Sequence, residues 1–131
     1  MARRVTSAPR EVDIQAGFRA KLRYVAPTVS VVAIPNAAKR SQWASMQAKR
    51  EGMATGFPDV MCLWAEGGVC FIEFKTAAGR VSEGQVEWLD RLDRWGFVSG
   101  IARSIDDALA ILGRAGAPIT QQAHLERIAN G

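Results

Sequence analysis

The order of apolar patterns along the chain predicts an α/β fold, a mixed sandwich around one central sheet. Three observations carry that expectation. Ile14, Phe18, Leu22 and Val25 recur at spacings of four, four and three, which is one stripe of a helix. The stretch DVMCLWAEGGVCFIEFK (59–75) holds two apolar strands around Glu66-Gly67-Gly68, a hairpin turn signal. Helix, strand and helix patterns then follow in turn, so helices are available to cover both faces of the sheet.

Each element has its own local signals. Residues 1–9 read as a flexible basic arm, and Ser7 offers an N-cap with Pro9 and Glu11 in the first helical turn. Pro27 closes that helix. VSVVAI (29–34) is rich in β-branched residues and reads as a strand that Pro35-Asn36 ends. Residues 37–56 are basic, broken by Gly52 and Gly56, and read as a loop with a short helix. Ser82 caps a helix from about Glu83 to Trp95, with Gly96 as its stop. Trp88 and Trp95 lie seven apart on it and are assigned to packing. Phe97–Arg103 reads as a strand. Ser104 caps a last helix whose stripe is Ala108, Leu109, Ile111 and Leu112. From Gly113 on there are loop signals and a short helix near Gln121–Ile128. The resulting division is an arm at 1–9, a domain at 10–112 and a tail at 113–131 that is a short helix or a dimer contact.

Bulk properties exclude several classes. A chain of 131 residues fits one domain, and a hydrophobic fraction of 48% is enough for a core. With 23% charged residues the composition is that of a folded protein. The net charge of +4 and pI of about 9.6 are compatible with a polyanionic partner. Cys62 and Cys70 match no zinc spacing and read as small core residues in a reducing compartment. The start lacks a signal-peptide apolar run, and no stretch is long enough to span a membrane, so the expected location is cytoplasmic.

The chemistry concentrates on the hairpin. Period-two alternation places Glu73 and Lys75 on the same face of an otherwise apolar strand. A buried carboxylate costs several kcal/mol unless it is paired or bound to a metal. Three readings stay open: an internal ion pair, the wet end of a strand where Glu73 and Lys75 reach solvent, or part of a metal site. A three-residue loop of Glu66-Gly67-Gly68 pairs Met61 with Glu73 and Asp59 with Lys75, which clusters Asp59, Glu73 and Lys75 on one face. Gly68 then supplies the left-handed residue such a loop needs. Asp59 and Glu73 are hard oxygen donors suited to Mg²⁺ or Mn²⁺. Glu11, at the head of the first helical stripe, either joins them or simply answers the helix dipole. Gln85 either completes a capping box with Ser82 or reaches the same site. The basic residues Lys39, Arg40, Lys49 and Arg50 form either a phosphate-tracking surface or a solvated loop. His124, the one histidine, is assigned no role.

GFPD (56–59), IEFK (72–75) and SEGQVEW (82–88), with EVDIQ (11–15), IPN (34–36) and KREGMATG (49–56) ahead of them, together resemble the VRR-NUC branch of the PD-(D/E)XK nuclease superfamily. The resemblance covers about residues 10–112. It implies a restriction-endonuclease-like core, a central mixed sheet flanked by helices. It implies a Mg²⁺- or Mn²⁺-dependent nuclease in which Glu11, Asp59 and Glu73 are the acidic positions, the Phe74 carbonyl completes the metal shell, Lys75 is the catalytic lysine and Gln85 is the glutamine of the following helix.

Stand-alone members of that branch, often carried by phages or prophages, are similar to Holliday-junction resolvases and form homodimers. The expectation is therefore a structure-selective endonuclease on branched DNA. The alternatives are a nuclease on flap, single-stranded or nonspecific DNA, and a non-catalytic DNA-binding module of the same fold.

Overall fold

The computed structural model describes residues 9–35, 42–52 and 54–120. Its elements run α1 (Glu11–Val25), β1 (Ser30–Ala33), α2 (Gln42–Arg50), β2 (Val60–Trp64), β3 (Gly68–Phe74), α3 (Glu83–Arg94), β4 (Val98–Ala102) and α4 (Ile105–Arg114). The four strands form one sheet in the order β1-β2-β3-β4. β1, β2 and β3 pair antiparallel, and β4 joins β3 in parallel. The sheet is mixed, as expected, because α3 serves as the crossover that a parallel pair requires.

Alternation sorts the strands onto two faces. Val60 and Cys62 of β2 and Cys70, Ile72 and Phe74 of β3 enter the main core with Ile14, Phe18, Leu22 and Val25 of α1. Ala108, Leu109, Ile111 and Leu112 of α4 close the same layer. On the other face Phe71 meets Phe57 and Phe97 edge-on, at 5.4 and 5.7 Å between ring centres, and Phe57 meets Trp88 of α3 at 4.9 Å. β3 is therefore covered on both sides, which explains why apolar residues occupy both of its faces around Glu73. Cys62 and Cys70 face each other across the hairpin as buried free thiols. The hydrogen bond to Cys70, then burial, pushes the Cys62 thiol well above its ordinary range, in keeping with a core role.

Several expectations need correction. The hairpin turn is Ala65-Glu66-Gly67, not Glu66-Gly67-Gly68. Trp64 pairs with Gly68, Met61 with Phe71 and Val60 with Ile72, a slip of two residues. Glu66 and Gly67 take the left-handed conformation, with φ of 68° and 78°. Gly68 is a strand residue under the Trp64 indole, where any Cβ would collide with the ring. The glycine there provides room for a tryptophan, and the turn is made one residue earlier.

The start of α1 also differs. The flanking residue is Arg10, in extended conformation, and Pro9 lies outside the helix. The Asp13 carboxylate accepts from the Arg10 backbone N–H at 3.3 Å and from its Nε at 3.2 Å, so the cap comes from inside the helix. These hydrogen bonds hold Asp13 below the usual carboxylate range. Trp95 follows α3 and is 62% exposed, so only Trp88 of that pair packs. α4 continues through Gly113 to Arg114, because Ala115 N–H still reaches the Ile111 carbonyl at 3.1 Å. The chain then folds back, with Ala117 and Ile119 against the core and Thr120 N–H donating to the Val25 carbonyl at 2.7 Å. Ser7, the basic arm, Lys39, Arg40 and the helix expected near Gln121–Ile128 lie outside the described residues, as does the side chain of Lys49.

Candidate active site

Glu73 is 1% exposed on the α3 side of β3, and Asp59, 8% exposed, immediately precedes β2. One step beyond the Val60–Ile72 pair, Asp59 stands opposite Glu73. The two-residue slip preserves strand parity, so both acids share a face although their expected partners were wrong. Asp59 Oδ2 accepts from the Phe74 backbone N–H at 2.9 Å, and its own carbonyl accepts from Ile34 N–H at 2.7 Å. Asp59 is thereby tied to β3 through its carboxylate and to the residue after β1 through its backbone.

Glu11 reaches the same point from the first residue of α1. Ligand oxygens of Glu11, Asp59 and Glu73 all lie within 4.8 Å of one another. Metal–oxygen bonds of about 2.1 Å place the ligands of an octahedral ion at most about 4.2 Å apart. Three carboxylate oxygens gathered this closely could hold a hard divalent cation, which such donors match better than a soft one. Oε1 of Glu11 and Oε2 of Glu73 are buried atoms, so the donors face a sheltered space and not bulk water.

Gln85 both caps α3 and contacts Glu73. Its Oε1 accepts from Ser82 N–H at 2.9 Å while its backbone N–H donates to Ser82 Oγ at 3.2 Å, a complete capping box. Its Nε2 donates to Glu73 Oε1 at 2.6 Å. One side chain joins the start of α3 to the acidic cluster. Gly56 makes that approach possible: its φ is 85°, and a Cβ would lie 2.6 Å from the carbonyl carbon of Gly84.

Lys75 follows β3 on the parity of Glu73, is half-buried, and donates its backbone N–H to the Ala102 carbonyl at 3.0 Å. Arg50 is exposed at the end of α2. Sequence reasoning passed over Arg103, whose guanidinium donates to the carbonyls of Thr76, Ala77 and Gly79. Its partners lie 24 to 27 residues away, and no local pattern signals such a bond.

The sequence matches the VRR-NUC domain family over residues 7–106, most of the chain. The chain belongs to the VRR-NUC family. This family is a branch of the PD-(D/E)XK superfamily, with a nuclease-type fold. A solved structure described as a VRR_NUC domain protein superposes with a TM-score of 0.62 at 20% identity, covering 82% of this chain and 88% of the other. That likeness is one of fold. No curated protein matches the sequence.

Proposed function

We propose that the protein is a Mg²⁺- or Mn²⁺-dependent endonuclease that hydrolyses phosphodiester bonds in branched DNA. The observation that carries this reading is the convergence of Glu11, Asp59 and Glu73 within 4.8 Å, with Lys75 two residues beyond Glu73. Glu11, Asp59, Glu73 and the Phe74 carbonyl would hold the ion. When bound, such an ion polarises the scissile phosphate and lowers the pKa of a coordinated water.

The chain's own residues supply the rest. Phe74 N–H fixes the Asp59 carboxylate, and Gln85 fixes Glu73, so both acids are oriented before substrate arrives. Lys75 holds the attacking water and offsets negative charge developing at phosphorus. Lys39, Arg40, Lys49 and Arg50 track the phosphate backbone. A homodimer would present two such sites about a two-fold axis, which suits a four-way junction. The free buried thiols fit a cytoplasmic location, and none of the described helices is long and apolar enough to cross a membrane.

The test is a panel of labelled four-way junctions, flaps, duplexes and single strands, assayed with Mg²⁺, with Mn²⁺ and with EDTA. Cleavage of junctions that EDTA abolishes, and that Lys75→Ala slows about a hundredfold or more, is the expected result. Cutting that persists in EDTA overturns the metal mechanism. Preferential cutting of flaps or single strands keeps the enzyme and replaces the substrate. Binding without cutting in either metal returns the reading to a non-catalytic module.

A further inference from the structure

We propose that Arg103 is a positioning residue for Lys75, acting through the turn at residues 76–79. The inference rests on the nuclease reading for its functional meaning and on geometry for its physical content. Nη1 of Arg103 donates to the carbonyls of Thr76 at 2.7 Å, Gly79 at 2.9 Å and Ala77 at 3.2 Å. One cationic nitrogen thus gathers three carbonyls of a single turn, which Gly79 N–H closes onto the Thr76 carbonyl at 3.1 Å. Hydrogen bonds from a charged donor are the strong ones.

The clamp is anchored at both ends. Arg103 follows Ala102, whose carbonyl accepts the Lys75 N–H, so the clamping residue and the lysine are neighbours across the parallel strands. The Arg103 backbone N–H donates to Asp107 Oδ2 at 2.9 Å, and Asp107 N–H donates to the Ser104 hydroxyl at the head of α4. On the other side, Gly79 lies against the lysine stem. A Cβ placed on it would be 3.4 Å from Lys75 Cδ and 2.9 Å from Thr76 Oγ1.

The turn's two middle residues contribute no packing. Ala77 and Ala78 are exposed, and neither belongs to the core. This turn leads from Lys75 at one end toward the Ser82 cap and Gln85 at the other. By fixing the turn against the lysine stem, Arg103 limits the rotamers open to Lys75, whose face strand alternation has already set.

The experiment uses the full chain without metal or DNA. Trace acetylation with acetic anhydride, read by mass spectrometry, compares the reactivity of Lys75 with that of exposed Lys21 in wild type, Arg103→Met and Arg103→Lys. The expected result is a several-fold change in Lys75 labelling in Arg103→Met, no change at Lys21, and partial return in Arg103→Lys. In junction cleavage, Arg103→Met should lower kcat about ten- to a hundredfold while KM and the Mg²⁺ concentration for half-maximal rate stay as in wild type. Gly79→Ala, which retains the guanidinium but crowds Thr76 and Lys75, should also shift Lys75 labelling, and it serves if Arg103→Met does not fold. Unchanged Lys75 labelling in folded variants overturns the proposal, as does a rate loss matched by loss of folded protein. If wild type cuts nothing yet Lys75 labelling shifts as expected, the nuclease reading fails and the clamp on Lys75 stands.

Discussion

Glu73 is a carboxylate surrounded by an apolar strand, and its burial makes physical sense only through what it faces. Gln85 donates to one oxygen, and Glu11 and Asp59 bring further negative charge close by. Like charges gathered in a low-dielectric site create an affinity for a cation. In a thermal shift assay, Mg²⁺ is expected to raise the Tm of wild type, by the equivalent of about 2.7 kcal/mol when the metal stands a hundredfold above its Kd. Glu73→Gln should remove that rise, because it takes away a ligand charge while leaving an oxygen for Gln85. An equal Mg²⁺ shift in the variant would sink the assignment. At this scale the acids were legible as unusual residues in an apolar run. The second bond made by Gln85 was legible only as one of two open readings, since a capping box explained the glutamine without it.

Elements impose a different logic. The hairpin register was misplaced by two residues, yet Asp59 and Glu73 still share a face, because side chains alternate with period two and an even slip is silent. What misled was Gly68, whose lack of a side chain answers Trp64 overhead and not a left-handed turn. Gly56 is a second glycine with a tertiary reason, and it allows a direct comparison with Gly52. Both have positive φ, but a Cβ at Gly52 meets nothing within 4 Å while one at Gly56 strikes Gly84 and Gln85. Urea denaturation should show Gly52→Ala costing about 1–3 kcal/mol from backbone strain, and Gly56→Ala costing more. The same Gly56 variant should lose activity beyond its stability loss, because the α3 start that carries Gln85 must move. Equal costs at the two sites would show that the close approach is unimportant.

Across the whole molecule, the net charge of +4 is spread on a chain whose proposed substrate is a polyanion. Each phosphate contact contributes a slope of about −0.9 to the dependence of log affinity on log salt. Replacing Lys39, Arg40, Lys49 and Arg50 by alanine should flatten the measured slope by about three to four, with little change in preference among DNA structures. A slope that stays as in wild type would assign those residues to a solvated surface. Arg50 is exposed on α2, where such contacts are available.

The amino-acid sequence by itself determined the element order and the helical stripes of α1 and α4. These follow from hydrophobic period and local capping chemistry, which act over a few residues and leave a visible pattern. Tertiary structure alone decided how those parts meet. It brought Glu11 to two acids on other elements, joined Gln85 to Glu73, set the true hairpin register under Trp64, and placed Arg103 over the turn after Lys75. Such contacts depend on the distance between elements after packing, and no periodicity along the chain encodes that distance.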